Sequence, residues 1–583
     1  MEESGVLKKG LVKMKHKFLK DFWHLFHAYW NSEEKWSARG ILTIVIVLTL
    51  AQVFLLVQLN SWNSDFYNVL QAYEFDAFWP LVGQFTVLAF LYILVAVYAI
   101  YLRQKLQIRW RTWMTNRYLE SWMAKQVYYR LQVLGSDMDN PDQRISEDIN
   151  EFVNLTLQLL LGFLKQLTTL VAFAFILWEL SGLLTIPIGS EEFTIHGYML
   201  WLCVIYAVAG TWLANRVGRR LITLNYDQQR FEADFRFDMM RVRENSESIA
   251  FYGGEAPESV AFQERFSRVI KNFWGLMRQT KLLNFYVNGY GQCAIIVPIL
   301  LAAPRYFSGG MQLGGFMQTL NAFGQVQEAL SYFVNVYESI AQLIAIIRRL
   351  NGFTRHMEEV DALESDFIKE SGEKTELGVQ DFQVALPNGR VLLSDCSVNL
   401  VPGKRMLITG GSGCGKSTLL RALAGIWPFG RGRMMIPAGS RVLFLPQRPY
   451  LPLGSLRRAI YYPQDVPEQP EDLSEIMKKA GIEKFIDRLD EVDDWSRILS
   501  LGEQQRIAFA RVLLFKPQWV FLDEATSALD EPREKAMYEL LRQELPEMGI
   551  VSVGHRSTLF AQHDEELHLD GDGTWKLRTI EAV

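Results

Sequence analysis

Along the first 335 residues, apolar positions gather into runs of about 20, separated by polar loops or by long charged stretches. A bilayer core about 30 Å thick is crossed by roughly 20 mostly apolar residues in a helix. The runs 40–59, 79–102, 153–180, 196–215, 284–304 and 313–335 meet that length and predict six spans. Pro298 is expected to break the fifth, and the sixth is rich in Gln and Asn. Beyond residue 374 the pattern changes to short buried strands and amphipathic helices, as in a soluble α/β domain.

Basic residues alternate with the spans. Segments 1–39, 103–150 and 216–283 hold eight, eight and twelve Lys or Arg, whereas 60–78 and 181–195 hold none and 305–312 holds only Arg305. This bias places both termini and the α/β domain in the cytoplasm. Stretches 103–134 and 215–251 contain no Pro and little Gly, so the spans are expected to continue as helices. About 25 further residues at 1.5 Å each would reach nearly 40 Å below the membrane. Residues 1–37 are Lys-rich and dotted with aromatics (Phe18, Phe22, Trp23, Phe26). That composition predicts an interfacial amphipathic segment rather than a cleavable leader; a basic tail fits residues 1–15 equally well.

In the sixth span Gln318, Asn321, Gln325, Glu328 and Tyr332 recur at steps of three and four and share one helix face. A polar stripe on a spanning helix faces a cavity or other helices rather than lipid, so these five are the candidate solute path. The acidic stretch 356–374 has no sustained apolar period and places a linker at 351–373. The resulting division is 1–37, a membrane domain 38–350, the linker, and a domain 374–583. Formal net charge is −5, which gives no electrostatic footprint for nucleic acid. Cys203, Cys293, Cys396 and Cys414 have no metal-ligand or disulfide spacing.

The α/β domain carries the chemistry. A short apolar strand, 405–409, runs into Gly410-Gly411-Ser412-Gly413-Cys414-Gly415-Lys416-Ser417-Thr418 and then an apolar helix. This is the phosphate-binding loop GxxxxGK[ST] in its strand–loop–helix setting. Backbone N–H groups and the helix N-terminus attract phosphate oxygens, Lys416 reaches the β- and γ-phosphates, and Ser417 offers its hydroxyl to Mg²⁺. A second apolar strand, 519–522, ends in Asp523-Glu524. Asp523 is expected to hold Mg²⁺, and Glu524 to orient the attacking water, since phosphoryl transfer needs positioning and charge compensation.

With these come Gln447 in LPQR, Leu499-Ser500-Leu501-Gly502-Glu503-Gln504-Gln505-Arg506 at the start of an apolar helix, Ser527-Ala528-Leu529-Asp530, and His555 after the strand 550–553. The set, in this order, resembles the ABC transporter superfamily. The resemblance implies that Gln447 contacts Mg²⁺, that Ser500, Gly502 and the rest of the signature bind ATP across a dimer, and that His555 contacts the γ-phosphate. It also implies two chains per transporter, and a homodimer would have two competent sites. Leu501 and Glu503 depart from the common signature, and Leu386 stands where many cassettes place an adenine-stacking aromatic.

Two further segments, 140–149 (NPDQRISEDI) and 244–255 (ENSESIAFYGGE), resemble motifs of the peroxisomal fatty acyl-CoA transporters, the lysosomal cobalamin transporter and the bacterial SbmA/BacA-like transporters. Residues 59–70 resemble the outer segment of the bacterial members. The resemblance implies coupling positions at Asp142, Gln143, Glu147, Glu247 and Tyr252, where helix tips engage the cassettes.

The expected architecture is therefore a six-helix, exporter-like (type IV) membrane domain fused to an α/β P-loop cassette, in a bacterial cytoplasmic membrane. The expected function is transport of a bulky solute driven by hydrolysis of Mg·ATP. Corrinoids, peptides or hydrophilic antimicrobials come first; fatty acid, acyl-CoA or lipid transport, and proton-coupled uptake with a regulatory cassette, are the alternatives. Import and export both stay open. A soluble ATPase acting on ribosomes or DNA would need two cassettes and no spans.

Overall fold

The computed structural model describes residues 20–134, 140–188, 191–362, 366–372 and 376–581. Residues 1–19 of the expected amphipathic segment lie outside these. The chain divides into two compact units at Glu120/Ser121, Asp139/Asn140 and Thr354/Arg355.

The first unit is helical. A leading helix α1 (20–30) precedes α2 (Lys35–Ala72) and α3 (Phe75–Met123). A short helix α4 (Val127–Val133) lies beyond the boundary, in the second unit. Helix α5 (Pro141–Gln143) leads through one π-helical turn (Arg144–Asp148) into α6 (Ile149–Ser181). The hairpin β1 (Leu183–Ile188) and β2 (Glu191–His196) turns the chain into α7 (Tyr198–Glu244). Helices α8 (Ser246–Tyr252), α9 (Glu255–Phe307), α10 (Leu313–Asn335) and α11 (Tyr337–Asp361) follow. Among the described residues six helices are long and apolar enough to cross a membrane. Each extends well past its apolar core, as in α7 with 47 residues and α9 with 53. The α9 helix runs unbroken through Pro298, contrary to the expected break. Membrane helices tolerate proline where neighbours hold the freed backbone groups, and Pro298 is buried here.

Lipid exposure explains which apolar residues stay outside. The α3 span buries only 6% of its most apolar window, and Phe85, Phe90, Ile93 and Val97 are exposed. The interior is instead built from Phe173, Leu177, Met199, Cys203, Ala322, Phe323 and Val326 on α6, α7 and α10. Helix α1 is held by aromatics: Tyr29 and Trp110 are fully buried and stack at 5.4 Å, with Phe26 and Phe152 edge-on to Trp110. Such pairs add about 0.5–1.5 kcal/mol each beyond their buried area.

The second unit holds two sheets. The larger has strand order β14-β13-β6-β12-β11-β8, from β6 (Arg405–Gly410), β8 (Val442–Leu445), β11 (Trp519–Asp523), β12 (Gly549–Val553), β13 (Glu565–Leu569) and β14 (Trp575–Thr579). All neighbours are parallel except β13 and β14. The central strands are apolar at nearly every position, as strands covered on both faces must be. The smaller sheet, β3-β7-β4-β5, is formed by β3 (Asp366–Gly372), β4 (Leu377–Ala385), β5 (Val391–Leu400) and β7 (Gly430–Pro437). Strand β3 falls within the stretch expected to be a linker and pairs in parallel with β7. Helix α12 (Lys416–Ala424) follows β6. A helical lobe contains α13 (Leu456–Tyr461), α14 (Ser474–Lys479) and α15 (Trp495–Ile498), with the two-residue strands β9 (Gly454–Ser455) and β10 (Val492–Asp493). It packs against α16 (Leu501–Phe515), and α17 (Glu531–Glu544) completes the unit.

Candidate nucleotide site and membrane cavity

Parallel strands β6, β12 and β11 lie side by side, pairing Val553 with Ile408 and Asp523. Their carboxyl ends therefore deliver the P-loop, His555 and Asp523-Glu524 to one edge of the sheet, where open α/β sheets bind ligands. Gly410, Gly413 and Gly415 have φ of 136°, 78° and 107°, conformations that only glycine adopts without strain. A Cβ on Gly411 or Gly413 would meet nothing within 4 Å, so the loop presents an open concave face. This fits a phosphate chain. Lys416 is buried and its Nζ donates to the carbonyls of Gly410 (3.0 Å) and Gly411 (2.8 Å), which lays its charge across that face.

Ser417 Oγ donates to Asp523 Oδ1 at 2.8 Å, so this pair, with Gln447, would hold Mg²⁺. The Glu524 carboxylate is gripped from two sides: Gln447 Nε2 donates to Oε2 at 2.9 Å, and His555 Nε2 stands 3.4 Å from Oε1. Glu524 has φ +49°, an unfavourable backbone for a non-glycine residue. The bonds Glu524 N–H to Val553 O (3.1 Å) and Ser527 N–H to Glu524 O (3.0 Å) hold it there. Five residues singled out by sequence, Ser417, Gln447, Asp523, Glu524 and His555, thus meet in one hydrogen-bonded pair and around one carboxylate.

The signature serine caps α16. Ser500 Oγ accepts from Glu503 N–H at 3.4 Å, and Glu503 Oε2 accepts from both the N–H and the hydroxyl of Ser500 at 2.8 Å. Lys484 Nζ lies 2.5 Å from Glu503 Oε1. Burial alone would raise the Glu503 pKa, but Lys484 and the Ser500 donors outweigh it and hold the carboxyl below its ordinary value. Glutamate at this departing position therefore completes a capping box. A Cβ on Gly502 would lie 3.1 Å from Ala528 O, so glycine lets the signature approach the loop 527–530.

Arg556 and Glu534 escaped the sequence reading, and Gln505 was read only as a letter of the signature. Gln505 is fully buried, donates to Gln447 O (3.0 Å) and Ser527 Oγ (3.2 Å), and accepts from Ala528 N–H (3.0 Å). Arg556 donates to Leu529 O (2.7 Å) and Ser527 O (2.9 Å), with the buried Glu534 carboxylate 3.5 Å away. Gln505 lies within the signature and Arg556 adjoins His555, which was their only signal.

Of the expected coupling residues, Asp142, Gln143 and Glu147 lie in the first unit, at the start of the α5–α6 helix. Gln143 Nε2 donates to Glu147 at 3.1 Å on the exposed side. Beside them the buried Asp148 pairs with Arg144 and receives Arg349 at 2.6 and 2.9 Å. In the second unit, α4 packs Val133 against the cassette core, and Lys125 pairs with Asp361 at 2.7 Å. Burial raises the Tyr129 pKa, partly offset by Arg421 on α12. Glu247 and Tyr252 lie on α8, where Phe251 and Tyr252 are 82% and 89% exposed.

In the membrane unit a cavity of about 490 Å³ opens between α7, α9 and α10. Asn321, Gln325 and Glu328 line it, together with Thr211, Tyr286 and Tyr290. Gly210 lets the helices close in: its Cβ would lie 2.2 Å from the Tyr290 ring, and its carbonyl accepts from Tyr286 Oη at 2.6 Å. Gln318 and Tyr332 are not among the lining residues. Tyr332 instead donates to Leu159 O on α6 at 3.1 Å.

A P-loop sheet with the Glu524 carboxylate held beside the Ser417–Asp523 pair, joined to six spanning helices, defines an ATP-hydrolysing membrane transporter. Residues 25–307 match the ABC transporter transmembrane region 2, and residues 393–527 match the ABC transporter family. The chain is 34% identical to the inner membrane ABC transporter ATP-binding protein YddA of Escherichia coli, over 93% of this chain and 96% of that one. It is 28% identical to the lysosomal cobalamin transporter ABCD4 of Homo sapiens, over 97% of each. A bacterial Atm1-family ABC exporter with ATP bound shares the fold, with a TM-score of 0.66, 19% identity and coverage of 93% and 94%. The chain belongs to the ABC transporters, as a half-transporter that couples hydrolysis of ATP, with Mg²⁺, to transport.

Proposed function

We propose that two copies of this chain form a homodimer in a bacterial cytoplasmic membrane, with termini and cassettes cytosolic, and import a bulky hydrophilic solute. Corrinoids, peptides and hydrophilic antimicrobials are the candidate classes. The observation that carries the reading is the Glu524 carboxylate, held by Gln447 and His555 beside the Ser417–Asp523 pair. Each chain offers one P-loop and one signature, so Ser500 and Gly502 of one copy complete the site of the other. Exposed Phe251 and Tyr252 on α8 support docking of that tip on the second copy's cassette. Asn321, Gln325 and Glu328 support a solute path through the α7–α9–α10 cavity.

The test is vesicle reconstitution with Glu524→Gln. General-base losses run about 10²- to 10⁴-fold, so ATPase and uptake should both fall at least 100-fold while ATP binding persists. Uptake that continues on a proton gradient alone would overturn the reading.

A further inference from the structure

We infer that the α7–α9–α10 cavity selects solutes bearing an amine or guanidinium and rejects polyanions; this rests on the reading that the cavity lies on the solute path. Charge in the cores of the six spans is scarce: Lys165 and Glu179 on the third, Glu328 on the sixth, and the titratable His196 opening the fourth. Glu328 alone of these lines the cavity. Among the described residues the lining carries no Lys, Arg or His. Arg216 and Arg219, the next cations along α7, are not among the lining residues, and Arg219 belongs to a separate cavity with Asn215, Thr223 and Tyr337.

Glu328 is exposed in the single chain and so is accessible to an incoming solute. Around it Asn321 and Gln325 offer neutral amides, which hydrogen-bond a solute without repelling either sign. The Tyr286 and Tyr290 rings stack at 5.9 Å, and their faces attract cations. Their spacing is fixed by Tyr206, which stacks on Tyr290 at 4.5 Å and donates to its carbonyl at 2.6 Å. A carboxylate in low-dielectric surroundings strengthens attraction to a cation and repulsion of an anion alike. A phosphate-bearing acyl-CoA would place its charges beside Glu328 with no lining cation to compensate them. A lysine- or arginine-containing peptide would pair with Glu328 and lay its side chain on the tyrosine faces.

The experiment uses purified, nucleotide-free, full-length protein and fluorescent tetralysine, tetraserine and tetraglutamate peptides, with a long-chain acyl-CoA as competitor. Anisotropy should show tetralysine binding about tenfold more tightly than tetraserine, as one charge pair supplies. Glu328→Gln should bring tetralysine to the tetraserine level, and Glu328→Asp, which keeps the charge, should retain the preference. Equal binding of the three peptides, a preference for tetraglutamate or acyl-CoA, or a preference that survives Glu328→Gln would overturn the inference. Tetralysine preference without ATP-dependent uptake would sink the transport reading and leave the charge selectivity standing.

Discussion

Replacing Glu534 by Gln should slow hydrolysis although the residue touches neither the P-loop nor the Glu524 carboxylate. Glu534, on α17, is 1% exposed and accepts from Thr526 Oγ1 at 2.7 Å and Thr558 Oγ1 at 2.6 Å. Arg556 stands 3.5 Å away and spends its other bonds on Ser527 O and Leu529 O. One carboxylate thereby ties the loop 526–530, which abuts Glu524, to the segment that begins at His555. Hydrogen bonds to charged groups contribute about 1.5–3 kcal/mol and neutral ones about 1. Glutamine keeps the shape but discharges two such bonds and leaves Arg556 beside an amide, so a loss of about 2–4 kcal/mol follows.

Glu534 acts through the loop it positions, so stability and chemistry must be read separately. Steady-state ATPase of the reconstituted protein should show kcat falling about tenfold, equivalent to about 1.4 kcal/mol in the barrier. KM for ATP should change by less than threefold, since no nucleotide-binding group is altered. Thermal unfolding measures the stability loss directly. Lower stability with unchanged kcat would confine Glu534 to holding the cassette together, and unchanged stability would refute the bond accounting.

Two predictions concern other parts of the chain. Burial lowers the His563 pKa to about 4; Nε2 lies 2.8 Å from Ser552 Oγ and Nδ1 lies 2.7 Å from Leu559 O. Against about 6.5 in the unfolded chain, the unfolded state takes the proton first. Stability is therefore full above pH 6.5 and falls by about 2 kcal/mol between pH 7 and 5. Hydrogen exchange of β12 amides should show that slope, His563→Gln should flatten it, and an unchanged slope would discount the histidine. In the membrane unit, Gly314→Ala should unseat α10 from α2: the new Cβ would lie 1.9 Å from Ser64 O, and Gly314 N–H now donates to Asn68 Oδ1 at 2.8 Å. A cost of about 1–3 kcal/mol should appear as a lower unfolding temperature in detergent, and an unshifted transition would show that the α2 backbone yields freely.

What could be read in advance depended on whether a feature is local. The spans and the P-loop are: apolar length specifies a crossing, and GxxxxGKS specifies its own turn. The polar stripe of α10 was legible as a helix face, but a 3.6-residue period names a face and not its neighbours. Tyr332 therefore shares the stripe with Asn321 and Glu328, yet it turns to the α6 carbonyl of Leu159 while they line the cavity. The acidic run 366–372 gave no strand signal, because its pairing is set by β7, more than 60 residues away. Glu503 shows the converse. As a letter it was a departure from a motif; as a side chain it closes a capping box and pairs with Lys484. The serine hydroxyl proposed to face a phosphate is thus already bonded to a carboxylate at 2.8 Å. Phosphate binding by this signature then requires Ser500 to turn its proton away from Glu503, and the Ser500 N–H bond to the same oxygen keeps α16 capped while it does so.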